Sequence, residues 1–242
     1  LQELRVRYGF RLIEDAAHAL GSVYHGLPVG SCTYSDITVF SFHPVKIITC
    51  GEGGMCLTND DELARKIRLL SSHGIERDEP RLQSPGRPAY YYEMQFLGFN
   101  YRMNELQAAL GLSQLKRLDE LVGQRRAQAA RYFELLADCG ELLGLPPEDS
   151  DASVSAWHLY QVRIGGGKRD AVFNTLRHKG IGVQLHYRPI YAMPYYQQLR
   201  PYPPLPGAES FSSEALSIPL FPGLTTLNQQ FVAANLMAAL DG

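Results

Sequence analysis

Short apolar runs along the chain alternate with longer stretches in which apolar residues recur every three or four positions. This is the pattern of a mixed α/β protein. Residues 10–14 (FRLIE) predict a short buried strand that ends at Asp15, and residues 37–42 (ITVFSF) and 54–59 (GMCLTN) predict two more strands. The connection between the last two strands holds Lys46 and a glycine-rich turn. Because ligands of α/β folds bind where strands end, Asp15 and Lys46 are candidate residues of a functional site.

Helix signals flank these strands. Residues 1–9 are typical of a helix that ends at Gly9, and a second helix, capped by Asn59 or Asp60, is predicted to run to about Ser72. The apolar face of this second helix is predicted to consist of Leu63, Ile67 and Leu70, with Gly74 as the stop signal.

The middle of the chain combines a long loop with a long helix. Residues 75–95 are polar and rich in proline, which predicts a functional or mobile loop. A helix is predicted from Asn104, with Gln107 completing a capping box, to about Cys139, and a bend is expected near Gly123.

The last third of the chain predicts a compact α+β unit that follows a loop at 140–156. Its predicted elements are a strand at 158–164, a helix at 169–180, a strand at 181–187, an irregular proline-rich loop at 189–206, and a last helix opened by a capping box of Thr226 and Gln229.

Composition narrows the class of protein. The 242 residues carry a net charge of −2, which argues against a nucleic acid or an anionic membrane as the main partner. No apolar run approaches the roughly 18–20 residues that cross a membrane, and the N-terminus lacks the apolar segment of a secretory signal. The four cysteines form no CxxC pair and no zinc-finger spacing. We therefore expect free thiols, no metal site and a cytoplasmic protein.

Lys46 lies in the segment 40–55, FSFHPVKIITCGEGGM. A lysine amine attacks an aldehyde only when it is neutral, so a catalytic lysine needs a depressed pKa and an enclosed site. A position between two core strands can supply both, which suggests a Schiff base with pyridoxal phosphate (PLP). The glycines of GEGG lack the spacing of a nucleotide P-loop and are expected to allow a tight turn. The alternative is a solvated loop lysine.

Asp15 supplies the second group that PLP chemistry needs. An anion beside the pyridine nitrogen keeps that nitrogen protonated, so that the ring can accept electrons from the substrate. Ala16 and Ala17 are small enough to let a flat ring approach the backbone. The alternative is that Asp15 or Glu14 caps the next turn.

Five further polar residues are weaker candidates. His18 and His43 each lie one turn from a key residue, and a structural role is an equal alternative for both. The hydroxyl of Ser41 suits a phosphate oxygen. Asn100 and Arg102 precede a predicted helix N-terminus, which is a natural anion site, although capping and surface exposure explain them equally well.

Five stretches in order carry a resemblance to a known family. EDAAHALG, FSFHPVKIITCGEGGM, SSHG, LGFNYRMNELQAALGLSQL and AWHLYQVRI, with LHYRPIY after them, are similar to the DegT/DnrJ/EryC1/StrS family of PLP-dependent sugar aminotransferases. The resemblance implies the type I fold of PLP-dependent transferases. Residues 1–118 are then the C-terminal part of the large mixed-sheet PLP-binding domain, and residues 119–242 are a small α+β domain. A phosphate loop and a ring-stacking aromatic, which family members carry further upstream, are not matched, so we expect the N-terminal region to be missing.

The resemblance also implies residue roles. Lys46 forms the Schiff base and acts as the general acid and base. The implied cofactor-binding residues are Asp15 at the pyridine nitrogen, Ala17 and His18 at the ring, Ser41 at the phosphate, and Asn100 at the phosphate of the neighbouring subunit, in a homodimer with shared active sites. The implied substrate-binding residues are His43, Arg102, His186 and Tyr187. Lys46 favours transamination, because histidine replaces this lysine in the family's dehydratases.

The HPVK motif and YYYEMQFLGFNYR most resemble the family members of pseudaminic acid biosynthesis. They imply transfer of an amino group from glutamate to C4 of a UDP-linked 4-keto-6-deoxy-N-acetylhexosamine. Three alternatives stay open: a dTDP-linked sugar, an amino-acid substrate for an enzyme of the same fold, and a truncated chain that is non-catalytic or depends on a partner.

Overall fold

A computed structural model describes residues 1–241. The helices are α1 (Gln2–Tyr8), α2 (Asp61–Ser71), α3 (Glu105–Leu115), α4 (Leu118–Leu135), α5 (Arg169–His178), α6 (Pro194–Leu199), α7 (Pro206–Glu214) and α8 (Thr226–Asp241). The strands are β1 (Ile13–Asp15), β2 (Val23–Tyr24), β3 (Leu27–Pro28), β4 (Ile37–Ser41), β5 (Gly54–Leu57), β6 (Ile75–Glu76), β7 (Glu93–Met94), β8 (Leu143–Gly144), β9 (Ser153–Val154), β10 (Tyr160–Ile164) and β11 (Ala215–Ile218).

The chain forms two compact units. The first contains residues 1–119 and 151–154, and the second contains residues 120–150 and 155–242. Residues 151–154 join the first unit because β9 pairs antiparallel with β2. The assignment of residues 1–118 and 119–242 as functional domains stays a prediction. None of the helices within residues 1–241 combines the length and the apolar character needed to cross a bilayer.

The first unit is built on a sheet in the order β1-β4-β5. β1 runs parallel to β4, with Asp15 opposite Val39, and β4 runs antiparallel to β5, with Ser41 opposite Gly54. The connection that carries Lys46 joins β4 to β5. Asp15 at the end of β1 and Ser41 at the end of β4 therefore mark the same edge of the sheet as this connection.

Residues 10–14 were predicted to form a short buried strand ending at Asp15, and a strand that ends at Asp15 is confirmed, whereas its predicted burial is wrong. β1 is limited to Ile13–Asp15, and the side chain of Ile13 is 63% exposed. Among residues 1–241, β1 pairs along one side only, with β4. One edge of this apolar strand is therefore unpaired. In folded proteins such an edge is normally covered by another part of the structure.

The predicted loop at 75–95 contains the hairpin of β6 and β7, with Ile75 opposite Met94. Glu76 lies in this hairpin and is only 5% exposed. Its carboxylate accepts bonds from Arg65 Nη1 at 3.0 Å and from the backbone N–H groups of Arg77 at 2.9 Å and Asp78 at 3.0 Å. The bond from the Asp78 N–H contributes most to lowering the pKa of this carboxyl below its usual 4.5.

We expect Glu76→Gln to make the free energy of unfolding depend less on pH in the acidic range. A carboxyl with a lowered folded-state pKa contributes stability above about pH 4.5, and that stability is lost as the pH falls through the folded-state pKa. The variant should be less stable at pH 7 by about 1–3 kcal/mol, because Arg65 loses the buried one of its two carboxylate partners and keeps only Glu62. Urea unfolding of both proteins at pH 7 and at pH 3.5 measures the difference, with Glu79→Gln as the control. An equal loss of stability at both pH values would contradict the assignment.

α2 begins as predicted, because the carboxylate of Asp60 accepts the N–H groups of Glu62 and Leu63. The buried residue of this helix is Leu69, and Leu70, which was predicted to face the core, is exposed. The difference follows from the end of the helix, where Gly74 donates its N–H to the carbonyl of Leu69 and folds the chain back over that residue.

The predicted single helix from Asn104 to Cys139 is wrong. The chain forms α3 and α4, which are separated at Lys116 and Arg117, and Gly123 lies inside α4 without a break. The capping box at the start is confirmed: Asn104 Oδ1 accepts the Gln107 N–H at 2.9 Å, and Gln107 Oε1 accepts the Asn104 N–H at 3.0 Å.

The second unit is built on an antiparallel sheet in the order β11-β10-β8, with a core to which α4, α5 and α8 contribute. The strand predicted at 181–187 is wrong, because only a single bridge joins Gln184 to Ser217. The place beside β10 is taken by β11, whose four residues are all buried. The short run ALSI gave too little periodic signal to predict this strand.

The predicted capping box of Thr226 and Gln229 is also wrong. Thr226 is already helical, and the hydroxyl of Thr225 accepts the Asn228 N–H at 3.2 Å. Gln229 is buried and donates to the carbonyl of Gln128 at 2.9 Å. It therefore contributes to packing between helices within the second unit.

Candidate active site

The connection between β4 and β5 is a folded turn. The N–H of Phe42 donates to Gly53 O at 2.8 Å, and the carbonyl of Phe42 accepts the N–H of Cys50 at 3.0 Å. Within the turn, the Lys46 N–H donates to His43 O at 2.9 Å. The side chains of Ile47, Ile48 and Cys50 are buried. Three buried anchors directly after Lys46 fix its backbone against the core of the unit.

The glycines of the turn are required by close packing. A Cβ on Gly53 would lie 2.5 Å from Cys50 Sγ and 3.1 Å from Met103 Cε, and a Cβ on Gly54 would lie 2.7 Å from Phe40 O. Met103 is a contact that the sequence analysis missed, because no local pattern links residues 50 positions apart. It brings the segment before α3 against the turn that carries Lys46.

The amine of Lys46 has the electrostatic character that a nucleophile needs. Lys46 is half-buried, and this burial lowers the pKa of its amine below the usual 10.5, while the negative charge of Asp15 acts in the opposite direction. The carboxylate of Asp15 is therefore close enough to act on the amine. A half-buried lysine with a held backbone and a lowered pKa favours a nucleophile over a solvated loop lysine.

Asp15 is exposed at the end of β1, and its Oδ1 accepts the Ala17 N–H at 3.0 Å. It therefore caps the following turn, and that single bond leaves Oδ2 available to another group. The neighbouring Glu14 has a structural role, because its Oε2 accepts the Thr38 hydroxyl at 2.8 Å and the Ser35 hydroxyl at 3.3 Å. Of the two carboxylates, Asp15 is the more exposed and the one with fewer hydrogen bonds.

The backbone after Asp15 is held in place. The Ala16 N–H donates to Val39 O at 2.9 Å, and the Ala19 N–H donates to Ala16 O at 2.9 Å. Ala16 is buried, and Ala17 and His18 are half-buried in this turn. Ala17 and His18 are thus fixed beside Asp15, and their contact with a cofactor stays a prediction.

Ser41 and His43 lie on the same connection as Lys46. Ser41 Oγ is 3.4 Å from the donating N–H nitrogen of His43, and His43 Nδ1 accepts the Val45 N–H at 3.3 Å. His43 Nε2 lies 3.8 Å from a carboxylate oxygen of Glu52. His43 therefore shapes the turn, and its predicted contact with substrate stays untested.

Asn100 and Arg102 are attached to the end of α2. Asn100 forms a bridge with Ser72, and Arg102 Nη1 donates to Ser72 Oγ at 3.1 Å. Asn100 is exposed, and within residues 1–241 its side chain makes no hydrogen bond to Lys46 or Asp15. Its predicted role, at the phosphate of a neighbouring subunit, does not require such a bond.

His186 and Tyr187 lie in the second unit. His186 Nδ1 is 2.8 Å from Ser217 Oγ, and the carbonyl of His186 accepts a bond from Gln161 Nε2 at 2.7 Å. Tyr187 is exposed and packs edge-on against the His186 ring, with 4.7 Å between the ring centroids. Their contact with substrate stays a prediction.

The groups of the first unit fit the demands of PLP. A lysine amine suits the aldehyde, a carboxylate suits the pyridine nitrogen, and a hydroxyl suits the phosphate. Asp15 ends β1, Ser41 ends the neighbouring β4, and Lys46 lies on the connection that follows β4, so the three groups are supplied at one end of one sheet.

Comparisons with known proteins bear on this site. Residues 1–237 match the DegT/DnrJ/EryC1/StrS aminotransferase family. Helicobacter pylori PseC, an aminotransferase involved in the biosynthesis of pseudoaminic acid, is 33% identical with a TM-score of 0.88, over 99% of this chain and 62% of PseC. S. venezuelae DesV is 33% identical with a TM-score of 0.84, over 99% of this chain and 60% of DesV.

A third solved structure is the PLP form of the putative sugar aminotransferase Spr1654 from Streptococcus pneumoniae. It is 27% identical with a TM-score of 0.83, over 96% of this chain and 58% of Spr1654. The chain thus spans about 60% of the length of the solved structures it matches. The predicted fold, the C-terminal part of a PLP-dependent transferase of this kind, is confirmed by these matches.

Proposed function

We propose that this chain, which belongs to the DegT/DnrJ/EryC1/StrS aminotransferase family, carries the catalytic lysine of a PLP-dependent nucleotide-sugar aminotransferase. The proposed reaction moves an amino group from glutamate to C4 of a UDP-linked 4-keto-6-deoxy-N-acetylhexosamine. The observation that carries the proposal is the half-buried amine of Lys46, whose pKa is lowered by burial and which is within electrostatic range of Asp15.

Lys46 holds the cofactor and moves the proton. PLP, when bound, withdraws electrons from the carbon atom that carries the transferred nitrogen. With PLP bound, the neutral amine of Lys46 would accept the proton from that carbon of glutamate and pass it to the cofactor. In the second half-reaction it would take a proton back from the cofactor and, as the ammonium, donate it to C4 of the sugar. Burial lowers the pKa of the Lys46 amine, which favours the neutral form that this proton transfer requires.

The other residues orient the cofactor. Asp15 holds the proton on the pyridine nitrogen, and Ser41 donates its hydroxyl to the phosphate. Ala17 and His18 would contact the pyridine ring, and Asn100 would bind the phosphate of the PLP held by a neighbouring subunit. The fixed backbone from Ala16 to Ala19 supports this arrangement, since an oriented carboxylate loses little freedom on binding.

A UDP sugar is the proposed substrate because the HPVK motif resembles the pseudaminic acid branch and because PseC is among the similar structures. His43, Arg102, His186 and Tyr187 are the proposed substrate contacts. A dTDP-linked sugar is the alternative. The four free thiols are consistent with the reducing cytoplasm as the site of action.

The first unit exposes an apolar surface that a second copy of the chain would cover. None of the residues of α3 is buried, and Leu106 is 84% exposed. The segment before the helix adds Leu97, which is 85% exposed, together with Phe99 and Tyr101. Exposed apolar side chains concentrated within residues 97–106 are typical of an interface. Asn100 lies within this segment, so we propose a homodimer whose active sites are shared.

Leu106→Asp is expected to shift the chain from dimer to monomer. A carboxylate buried in an apolar interface without a partner costs several kcal/mol, which corresponds to a loss of dimer affinity of about 100-fold or more. Sedimentation equilibrium measures the change. Leu227→Asp, which replaces an exposed leucine on α8, is the matched control. A monomeric parent chain, or an equal effect of both substitutions, would contradict the proposed interface.

The proposal is tested by adding PLP to the purified 242-residue chain and recording its visible spectrum. The expected result is a visible band that disappears when glutamate is added. A band that resists glutamate and every other amino donor would overturn transamination. If the band appears only with an added partner polypeptide, the chain is the partner-dependent fragment of such an enzyme.

A further inference from the structure

The first unit contains a cavity of about 470 Å³ between the end of α2 and the segment that precedes α3. This volume is in the range of roughly 300–1,000 Å³ that is typical of small-ligand pockets. The residues that line it and carry the argument are Arg68, Ser72, His73, Glu76, Arg77 and Arg102. The sequence analysis considered only Arg102 among them.

The cavity has an excess of positive charge. Within residues 1–241, Arg68, Arg77 and Arg102 form no ion pair with any carboxylate. Glu76 is the one acid of the lining, and its carboxylate is already occupied by Arg65 and two backbone N–H groups. Three guanidinium groups around one cavity repel each other, and a bound anion would relieve that repulsion.

Two of the arginines are held in place by uncharged partners. The guanidinium of Arg77 stacks over the ring of Tyr92 at 4.5 Å from the centroid, which leaves the edge that carries its N–H groups free to bind. Arg102 Nη1 donates to Ser72 Oγ at 3.1 Å, and the remaining N–H groups of its guanidinium are available. A planar, oriented guanidinium suits the oxygens of a phosphoryl group, which it can bind in pairs.

The wall behind these side chains is rigid. The His73 N–H donates to Phe99 O at 2.7 Å, and the Gly74 N–H donates to Leu69 O at 2.7 Å. A Cβ on Gly74 would overlap the carbonyl of Phe96, and a Cβ on Gly98 would overlap the backbone of Gly74. The two glycines allow the chain segments to touch, and these close contacts hold the backbone that lies behind the cavity.

We propose that this cavity binds a phosphoryl group through Arg68, Arg77 and Arg102. The ligand is inorganic phosphate or the diphosphate of a nucleotide, which share the chemistry that the arginines recognise. The site shares Arg102 with the proposed substrate contacts and in that respect rests on the proposed function. It includes neither Lys46 nor Asp15, so a failure of anion binding leaves the PLP spectrum unchanged and is distinguishable from a failure of the aminotransferase proposal.

The test is calorimetric titration of the full chain with inorganic phosphate, diphosphate and UDP at low salt. We expect binding that weakens as salt is added, because exposed guanidinium groups are screened. Arg68→Gln and Arg77→Gln should each weaken it about tenfold, since each removes a charge-assisted bond. Arg87→Gln is the matched control, because Arg87 stacks on Tyr91 outside this cavity and should leave binding unchanged.

Two results would overturn the proposal. One is the absence of binding by all three anions, and the other is binding that Arg68→Gln and Arg77→Gln leave unchanged. Circular dichroism checks that both variants are folded, which we expect because both side chains are exposed. If binding depends on the two arginines, the relative affinities identify the ligand of the cavity. Tighter binding of diphosphate and UDP than of phosphate indicates the diphosphate of a nucleotide. Equal affinities for the three anions indicate a single phosphoryl group.

Discussion

Replacing Lys46 with alanine is expected to abolish amino transfer, with a loss of about 10⁴-fold or more in the rate of the glutamate half-reaction. The substitution removes both the covalent anchor of the cofactor and the amine that moves the proton, and general acid–base catalysis alone contributes about 10²–10⁴-fold. The PLP-dependent visible band should disappear as well. Stopped-flow absorbance with glutamate measures the first effect, and the spectrum before mixing measures the second.

The control for this experiment is Lys66→Ala, which replaces an exposed lysine on α2. It should keep both the band and the rate of the parent chain. The fold of Lys46→Ala should be intact, because the buried anchors Ile47, Ile48 and Cys50 remain. A Lys46→Ala protein that retained more than a tenth of the parent rate would remove Lys46 from the reaction.

Asp15→Asn is expected to lower the rate by about 10²–10³-fold, the loss typical of removing one electrostatic contact to the reacting system. The amide keeps the shape of the side chain and can still accept the Ala17 N–H, so the turn is preserved. It carries no negative charge, so it cannot hold the proton on the pyridine nitrogen. The affinity for PLP should fall with the rate.

Asp15→Asn has a second readout that does not depend on activity. Because the negative charge of Asp15 raises the pKa of the Lys46 amine against the effect of burial, the variant should show a still lower pKa at Lys46. The pH dependence of the reaction of Lys46 with an aldehyde probe measures this shift. An unchanged pKa would mean that the two groups do not interact.

Glu14→Gln provides the contrast on the same strand. Its carboxylate accepts the hydroxyls of Thr38 and Ser35, so this variant should lose stability while keeping the PLP spectrum. Adjacent residues of a strand point to opposite faces, which explains why one of two neighbouring carboxylates is structural and the other can reach a ligand. From the sequence alone, either Glu14 or Asp15 could have been the residue that caps the next turn.

Features with local causes could be predicted from the sequence. The capping box of Asn104 and Gln107, the N-cap Asp60 and the αL residue Gly9 each depend on residues within one turn. The two strands on either side of Lys46 were also predicted correctly, because apolar β-branched and aromatic residues bounded by a glycine turn leave few alternatives.

Features that depend on distant contacts could not be predicted. The exposure of β1 depends on which strands pair with it, and the choice of β11 over residues 181–187 is decided by pairing with β10. The same holds for the candidate active site, where the motif identified Lys46 and Asp15 but not Met103. Met103 is adjacent to Gly53 only after the chain has folded.

The central claim is that Lys46 forms the covalent bond to PLP, and borohydride trapping tests it most directly. The full chain is incubated with PLP, reduced with borohydride, digested and analysed by mass spectrometry, so that every modified lysine is located. The account predicts a stoichiometric adduct on the peptide that contains Lys46 and little on Lys66, Lys116, Lys168 and Lys179. An adduct spread evenly over all of these lysines, or one that spares Lys46, would contradict it.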